Sequence, residues 1–284
     1  MAQNLIRPGA RRAVLPLLET PHYEVVPLNG ALEQAAFLPA GAVATVTTTP
    51  SRGTEATISL VEALAARGFR PVPHLAARQI ADEEELGSVL QRLDAAGVRG
   101  VFVVGGDASV PAGPFADGLA LLRAIHRAGA PFDTVGVPSY PEGHHAIDDA
   151  TLWASLEAKQ EYATYTVTQL CFDADRVCAF AAEAKRRGIV LPVRVGIAGV
   201  VDAAHLLRVS MRIGIGDSTR FLRGNASGAR RLLNPFGYRP DALVRKLAGS
   251  VRQGRCQLAG LHVYTFNHVD PTVRWMQQAH RRAA

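Results

Sequence analysis

The sequence has no apolar run approaching the roughly 18 residues that a bilayer-spanning helix requires, so no membrane span is expected. Its opening, MAQNLIRPGARRAVLPLLE, lacks the order of charged, apolar and cleavage regions that marks a secretory signal, and a cytoplasmic location is expected. Cysteine is scarce. Cys171, Cys178 and Cys256 show no C-x-x-C spacing, and an odd count without a secretion signal predicts reduced thiols used in packing. No internal repeat or low-complexity tract is present. Charge of one sign is not concentrated either: the net charge is +6, but the arginines are spread over many segments and form no stripe with interleaved aromatics. Nucleic-acid binding is therefore not expected, whereas a diffuse basic field suits small polyanions.

What is present is the material of a buried core. Hydrophobic residues make up 48% and charged residues 20%, which excludes disordered and fibrous classes. Short β-rich runs alternate with helical patterns, the signature of repeated βα units. The strands are expected at 22–27, 43–48, 70–75, 100–105, 133–138, 164–169, 192–197 and 259–265, and eight of them predict a closed sheet. Helical patterns fall at 54–67, 82–96, 114–129, 149–162, 175–188 and 202–213, several opened by Thr or Asp, with Gly68, Gly97, Gly129 and Gly188 where C-caps belong. The fold class is thus α/β: one (β/α)8 TIM barrel over residues 1–284. Residues 1–20, with Arg7, Arg11 and Arg12, read as an N-terminal arm, and about 214–240 as an insertion between strands 7 and 8, over the barrel mouth.

Reactive groups in such barrels lie at the C-terminal ends of strands. Reading each strand there yields Glu24, Thr47, His74, Asp107, then Tyr140, Glu142 and His144, then Gln169, and finally Asn267 and His268. Glu24, in YEVVP, is flanked by apolar residues that would partly desolvate its carboxylate, as general-acid chemistry near neutrality requires; a strand-end ion pair is the plain alternative. Asp107 follows two glycines that let a ligand approach, or else it is a turn residue. Gln169 offers donor and acceptor to a heterocycle edge, or is a satisfied interior amide. Glu142, His144 and His145 suggest a metal, but E-x-H in a Pro/Gly loop lacks further ligands, and no metal is expected. GIGDST at 214–219 lacks the last glycine of a dinucleotide fingerprint and does not follow a first strand.

Taken in order, YEVVP, VATVTTTPSRGTEAT, PHLAAR, VFVVGGD, YPEGHH, TVTQLCFD, PVRVGIAGV and GLHVYTFN resemble successive strand motifs of the methylenetetrahydrofolate reductase family, from residue 22 to 267. The resemblance implies reduction of 5,10-methylenetetrahydrofolate to 5-methyltetrahydrofolate by a nicotinamide donor. It implies Glu24 as general acid, and Asp107 and Gln169 as ligands of the pterin ring. Thr47, His74, Tyr140, His144 and Lys159 match positions lining the FAD site of flavin-bearing members. Gly105 replaces that family's arginine, and EYATYT replaces its Ala-Gly-Ala turn, so the FAD site looks eroded. RIGIGDSTRFL resembles a short branch thought to work without flavin. The expected partners are tetrahydrofolate derivatives and NAD(P)H, with Arg220 or Arg223 meeting phosphates or a glutamate tail and Phe221 stacking on a ring. The chain is expected as a monomer or homo-oligomer. Still open are an FAD-containing reductase, a folate-binding or methyl-transferring protein without reductase activity, and a metal-assisted lyase or hydrolase built on Glu142, His144 and His145.

Overall fold

The computed structural model describes residues 15–49, 51–202, 204–206, 208 and 237–283. Eight parallel strands close on themselves in chain order, β1 pairing with both β2 and β8. They are β1 (His22–Val25), β2 (Val43–Val46), β3 (Arg70–Ala76), β4 (Gly100–Val104), β5 (Thr134–Ser139), β6 (Tyr165–Thr168), β7 (Val193–Ala198) and β8 (Gly260–Tyr264). Each is followed by its helix: α1 (Ala31–Ala35), α2 (Gly53–Ala65), α3 (Glu83–Ala95), α4 (Gly118–Arg127), α5 (Asp149–Lys159), α6 (Ala174–Arg186), α7 (Asp241–Arg252) and α8 (Val269–Ala283). The expected (β/α)8 barrel is the observed fold.

Local chemistry accounts for the helix ends. Asp82, Asp117, Asp148 and Asp173 precede α3, α4, α5 and α6, and each accepts a hydrogen bond from an otherwise unpaired amide of the first turn. Gly68 and Gly188 stop α2 and α6 with φ of 79° and 76°, a conformation that disfavours a Cβ. The fourth helix starts at Gly118 instead of 114, because its N-cap is Asp117 and the residues before it form the loop after β4.

The main core lies between sheet and helices, and includes Val25, Val46, Ile58, Leu75, Val103, Ile197 and Trp275. A separate cluster of Val72, Phe102, Tyr165 and Val167 packs elsewhere in the fold. Residues 15–18 form a helical turn whose Leu17 and Leu18 are buried, and Arg194, in β7, donates to the Thr20 carbonyl at 2.8 Å. That part of the expected arm packs at the N-terminal end of the strands; residues 1–14 and most of the expected insertion lie outside the described residues. The reduced-thiol expectation is corrected for Cys178 and Cys256, which form a disulfide across 78 residues, while Cys171 is buried and its thiol donates to the Asp173 carbonyl at 3.4 Å. Spacing rules search for near neighbours, and this pair meets because α6 packs beside α7.

Candidate active site

Side chains in a strand alternate between its faces, so His22 and Glu24 share one face of β1, as His262 and Tyr264 share one face of β8. Both faces meet in the barrel. The Glu24 carboxylate Oε2 lies 3.2 Å from His262 Nε2 and 3.8 Å from His74 Nε2, and its side chain is only 13% exposed. His22, His74 and His262 are buried, the His22 and His262 rings 6.3 Å apart and those of His74 and His262 6.5 Å apart. Burial depresses the His74 pKa to about 4, the Glu24 charge opposing it, so this ring is neutral at pH 7. Burial, with Arg194, His262 and Arg70 nearby, drives His22 down to about 2. The neutral His22 and His74 rings therefore leave the Glu24 carboxyl group at the centre of a polar layer.

Tyr264 covers this layer from the mouth side. Its ring contacts His262 at 4.9 Å, and its hydroxyl donates to the Thr168 carbonyl at 3.1 Å. Burial raises its pKa well above the usual phenol value, and the charges of Glu24 and Tyr140 act in the same direction. Gly196 makes room for that ring: a Cβ there would sit 2.1 Å from the Thr168 carbonyl oxygen and 2.7 Å from the Tyr264 ring.

A second group forms the rim after β4 and β5. Tyr140 and His144 pack edge to face at 5.2 Å. Burial raises the Tyr140 pKa and the nearby Asp107 carboxylate raises it further; burial and His145 lower that of His144, against the pull of Asp107. Asp107 itself is exposed in the loop after β4. The expected Asp107, Tyr140 and His144 are thus brought together.

The other expected residues are placed less simply. The Gln169 side-chain carbonyl accepts from the Leu170 amide at 2.8 Å. The Thr47 hydroxyl donates to Thr48 O at 3.3 Å, and its carbonyl accepts from Thr57 Oγ1 at 3.2 Å. His74 lies inside the barrel, its ring 4.6 Å from Phe102, and is 6% exposed. The Lys159 side chain packs where a Gly118 Cβ would lie 3.5 Å from its Cε, and burial lowers its pKa against the pull of Asp117. Glu142, His144 and His145 are not gathered as a ligand set among the described residues; the two imidazoles stack at 4.5 Å. Arg220, Phe221 and Arg223 lie outside the described residues.

Two buried histidines of the site, His22 and His262, lie beyond the strand-end residues. Inspection of strand ends stops at the rim, whereas the alternation in H-Y-E and H-V-Y already turns each histidine to the same strand face as Glu24 and Tyr264.

A closed (β/α)8 barrel with a nearly buried carboxyl group beneath its mouth is the class of protein that fold and site define. The sequence model of the methylenetetrahydrofolate reductase family matches residues 33–216, and the chain belongs to that family. Among solved structures it is similar to an uncharacterized protein from Clostridium thermocellum that binds two copies of 5-methyl-5,6,7,8-tetrahydrofolic acid, with 12% identity, a TM-score of 0.61 and 93% of this chain and 94% of that one covered. That likeness bears on the fold. A putative phosphonomutase from Burkholderia cenocepacia also matches, with 14% identity, a TM-score of 0.48 and coverage of 96% and 97%. Among the described residues, no helix is long and apolar enough to cross a membrane.

Proposed function

We propose that this protein reduces 5,10-methylenetetrahydrofolate to 5-methyltetrahydrofolate with NAD(P)H, by direct hydride transfer. The observation that carries the reading is the Glu24 carboxyl group, 13% exposed beneath the mouth and bonded to His262 at 3.2 Å, in a chain of this family. The imidazolidine ring must open to a 5-iminium cation before hydride arrives, and opening requires a proton on the departing nitrogen. Glu24 supplies that proton, and His262 holds the carboxyl group in place. Hydride then adds to the iminium carbon, giving the methyl group and oxidised nicotinamide. Asp107, at the rim, accepts from pterin N–H groups and favours the cation, while the Gln169 NH2 meets the ring edge.

FAD, where a member of this family holds it, relays hydride between nicotinamide and folate. The residues here fit it poorly: His74 is turned inside the barrel against Phe102, Lys159 is packed against α4, and Gly105 carries no side chain. That supports transfer within a ternary complex, donor and acceptor carbons about 3–3.5 Å apart.

Initial-rate kinetics test the reading. NAD(P)H oxidation should depend on methylenetetrahydrofolate, give intersecting double-reciprocal lines, and come from colourless protein. Parallel lines with retained FAD would restore the flavin route, and folate binding without NAD(P)H oxidation would leave a folate-binding protein instead.

A further inference from the structure

The loops after β7 and β8 bring together a group that the hydride-transfer reading does not use. Asp202, His205 and His268 each offer one ligand atom, and these atoms lie within 4.8 Å of one another. Asp202 precedes the helical residues 204–206, which carry His205. Asp202 also caps these residues, accepting from the His205 amide at 2.7 Å. The His205 and His268 rings meet edge to face at 5.5 Å.

Both halves of the group are held by the scaffold. Val201, before Asp202, pairs with Tyr238 in an antiparallel bridge, and both belong to a buried apolar cluster with Leu170, Phe172, Ala198 and Leu206. On the other side, Phe266 and Asn267 have φ of 50° and 60°, unusual for residues with a side chain. Asn267 is held there by two hydrogen bonds to Val26, accepting from its amide at 2.8 Å and donating to its carbonyl at 2.9 Å. Thr272 then ties the halves together: its hydroxyl donates to the His268 carbonyl at 2.8 Å and accepts from the Val200 amide at 3.1 Å. Ligand atoms carried on short, separately anchored segments hold their spacing without a bound ion, which favours binding.

We propose that Asp202, His205 and His268 form a site for a divalent transition cation, zinc or a close analogue, at the barrel mouth. Two imidazoles and one carboxylate suit zinc, cobalt, nickel or ferrous iron over calcium or magnesium, which prefer oxygen ligands. Three protein ligands leave a tetrahedral ion one position for water or an anionic group of a ligand. The site stands apart from the Glu24 layer, though a line of rings connects them: His205 to Phe266 at 5.7 Å, Phe266 to Tyr264 at 6.4 Å and Tyr264 to His262 at 4.9 Å. The proposal does not depend on reductase activity.

The test uses the untagged full chain, stripped with chelator and titrated with Co2+ alone. One equivalent should bind, with the visible d–d bands of a low-coordinate cobalt site, and Zn2+ should displace it. His268→Asn and Asp202→Asn should each weaken binding by at least about 10-fold, the loss that even outer-sphere changes bring. If His268→Asn does not fold, His205→Gln reads the same binding from the other segment. Absence of the cobalt bands, equal affinity for Mg2+, or unchanged binding in the variants that fold would overturn the site.

Discussion

Glu24 and His262 lie 238 residues apart in the chain, yet Glu24 Oε2 and His262 Nε2 are 3.2 Å apart in the barrel. The contact exists because β8 closes the sheet against β1, with His22 facing His262 and Glu24 facing Tyr264 in the register. A second link secures it: the Thr265 hydroxyl donates to the Glu24 carbonyl at 2.5 Å. The carboxyl group is thereby held from both ends, through its backbone and through its side chain.

Glu24→Gln keeps the shape of the side chain and its contact with His262 but cannot deliver a proton. Steady-state rates should fall by about 10²–10⁴-fold, the contribution typical of a positioned acid, while folate binding measured by calorimetry persists. Turnover like that of the parent protein would remove Glu24 from the mechanism.

His262→Phe preserves a ring of similar breadth and removes the nitrogen that meets Glu24. A hydrogen bond to a charged group contributes about 1.5–3 kcal/mol, so kcat should drop about 10–100-fold with little change in KM. The pH profile of kcat should move as well, because the group that delivers the proton has lost its partner. Loss of stability with an unmoved profile would assign His262 to packing alone.

Asp107→Asn should weaken folate binding and turnover by replacing an acceptor-only group with one that also presents donors. It has an independent spectroscopic readout: the Asp107 charge supports protonation of His144, so the His144 pKa should fall further below its usual value in the variant. Unchanged kinetics, together with an unmoved His144 titration, would separate Asp107 from both roles.

Acid should destabilise the fold through its buried histidines. The folded pKa of His74 is depressed to about 4 and that of His22 to about 2, both from 6.5. Between pH 6.5 and 4 the unfolded chain binds protons that the folded chain does not, so stability is full above about 6.5 and declines as pH falls. Each histidine adds up to about 1.4 kcal/mol per pH unit in its window. Denaturant titrations from pH 7 to 5 should show this slope, and His22→Gln should flatten it; a slope unchanged by the substitution would place the acid sensitivity elsewhere.

The sequence alone determined the architecture, because barrel strands and helices announce themselves locally. Alternating apolar runs mark β1 to β8, aspartates open α3 to α6, and Gly68 and Gly188 close α2 and α6; each signal acts within a few residues. It also singled out Glu24 and Asp107, since residues at strand ends must reach the mouth. Tertiary structure alone decided which side chains meet across the barrel. The pairing of Glu24 with His262, the inward turn of His74, the Cys178–Cys256 bond and the meeting of Asp202 with His268 depend on sheet closure, register and helix packing. Those are set by the packing of the whole core, and no short window of sequence contains them.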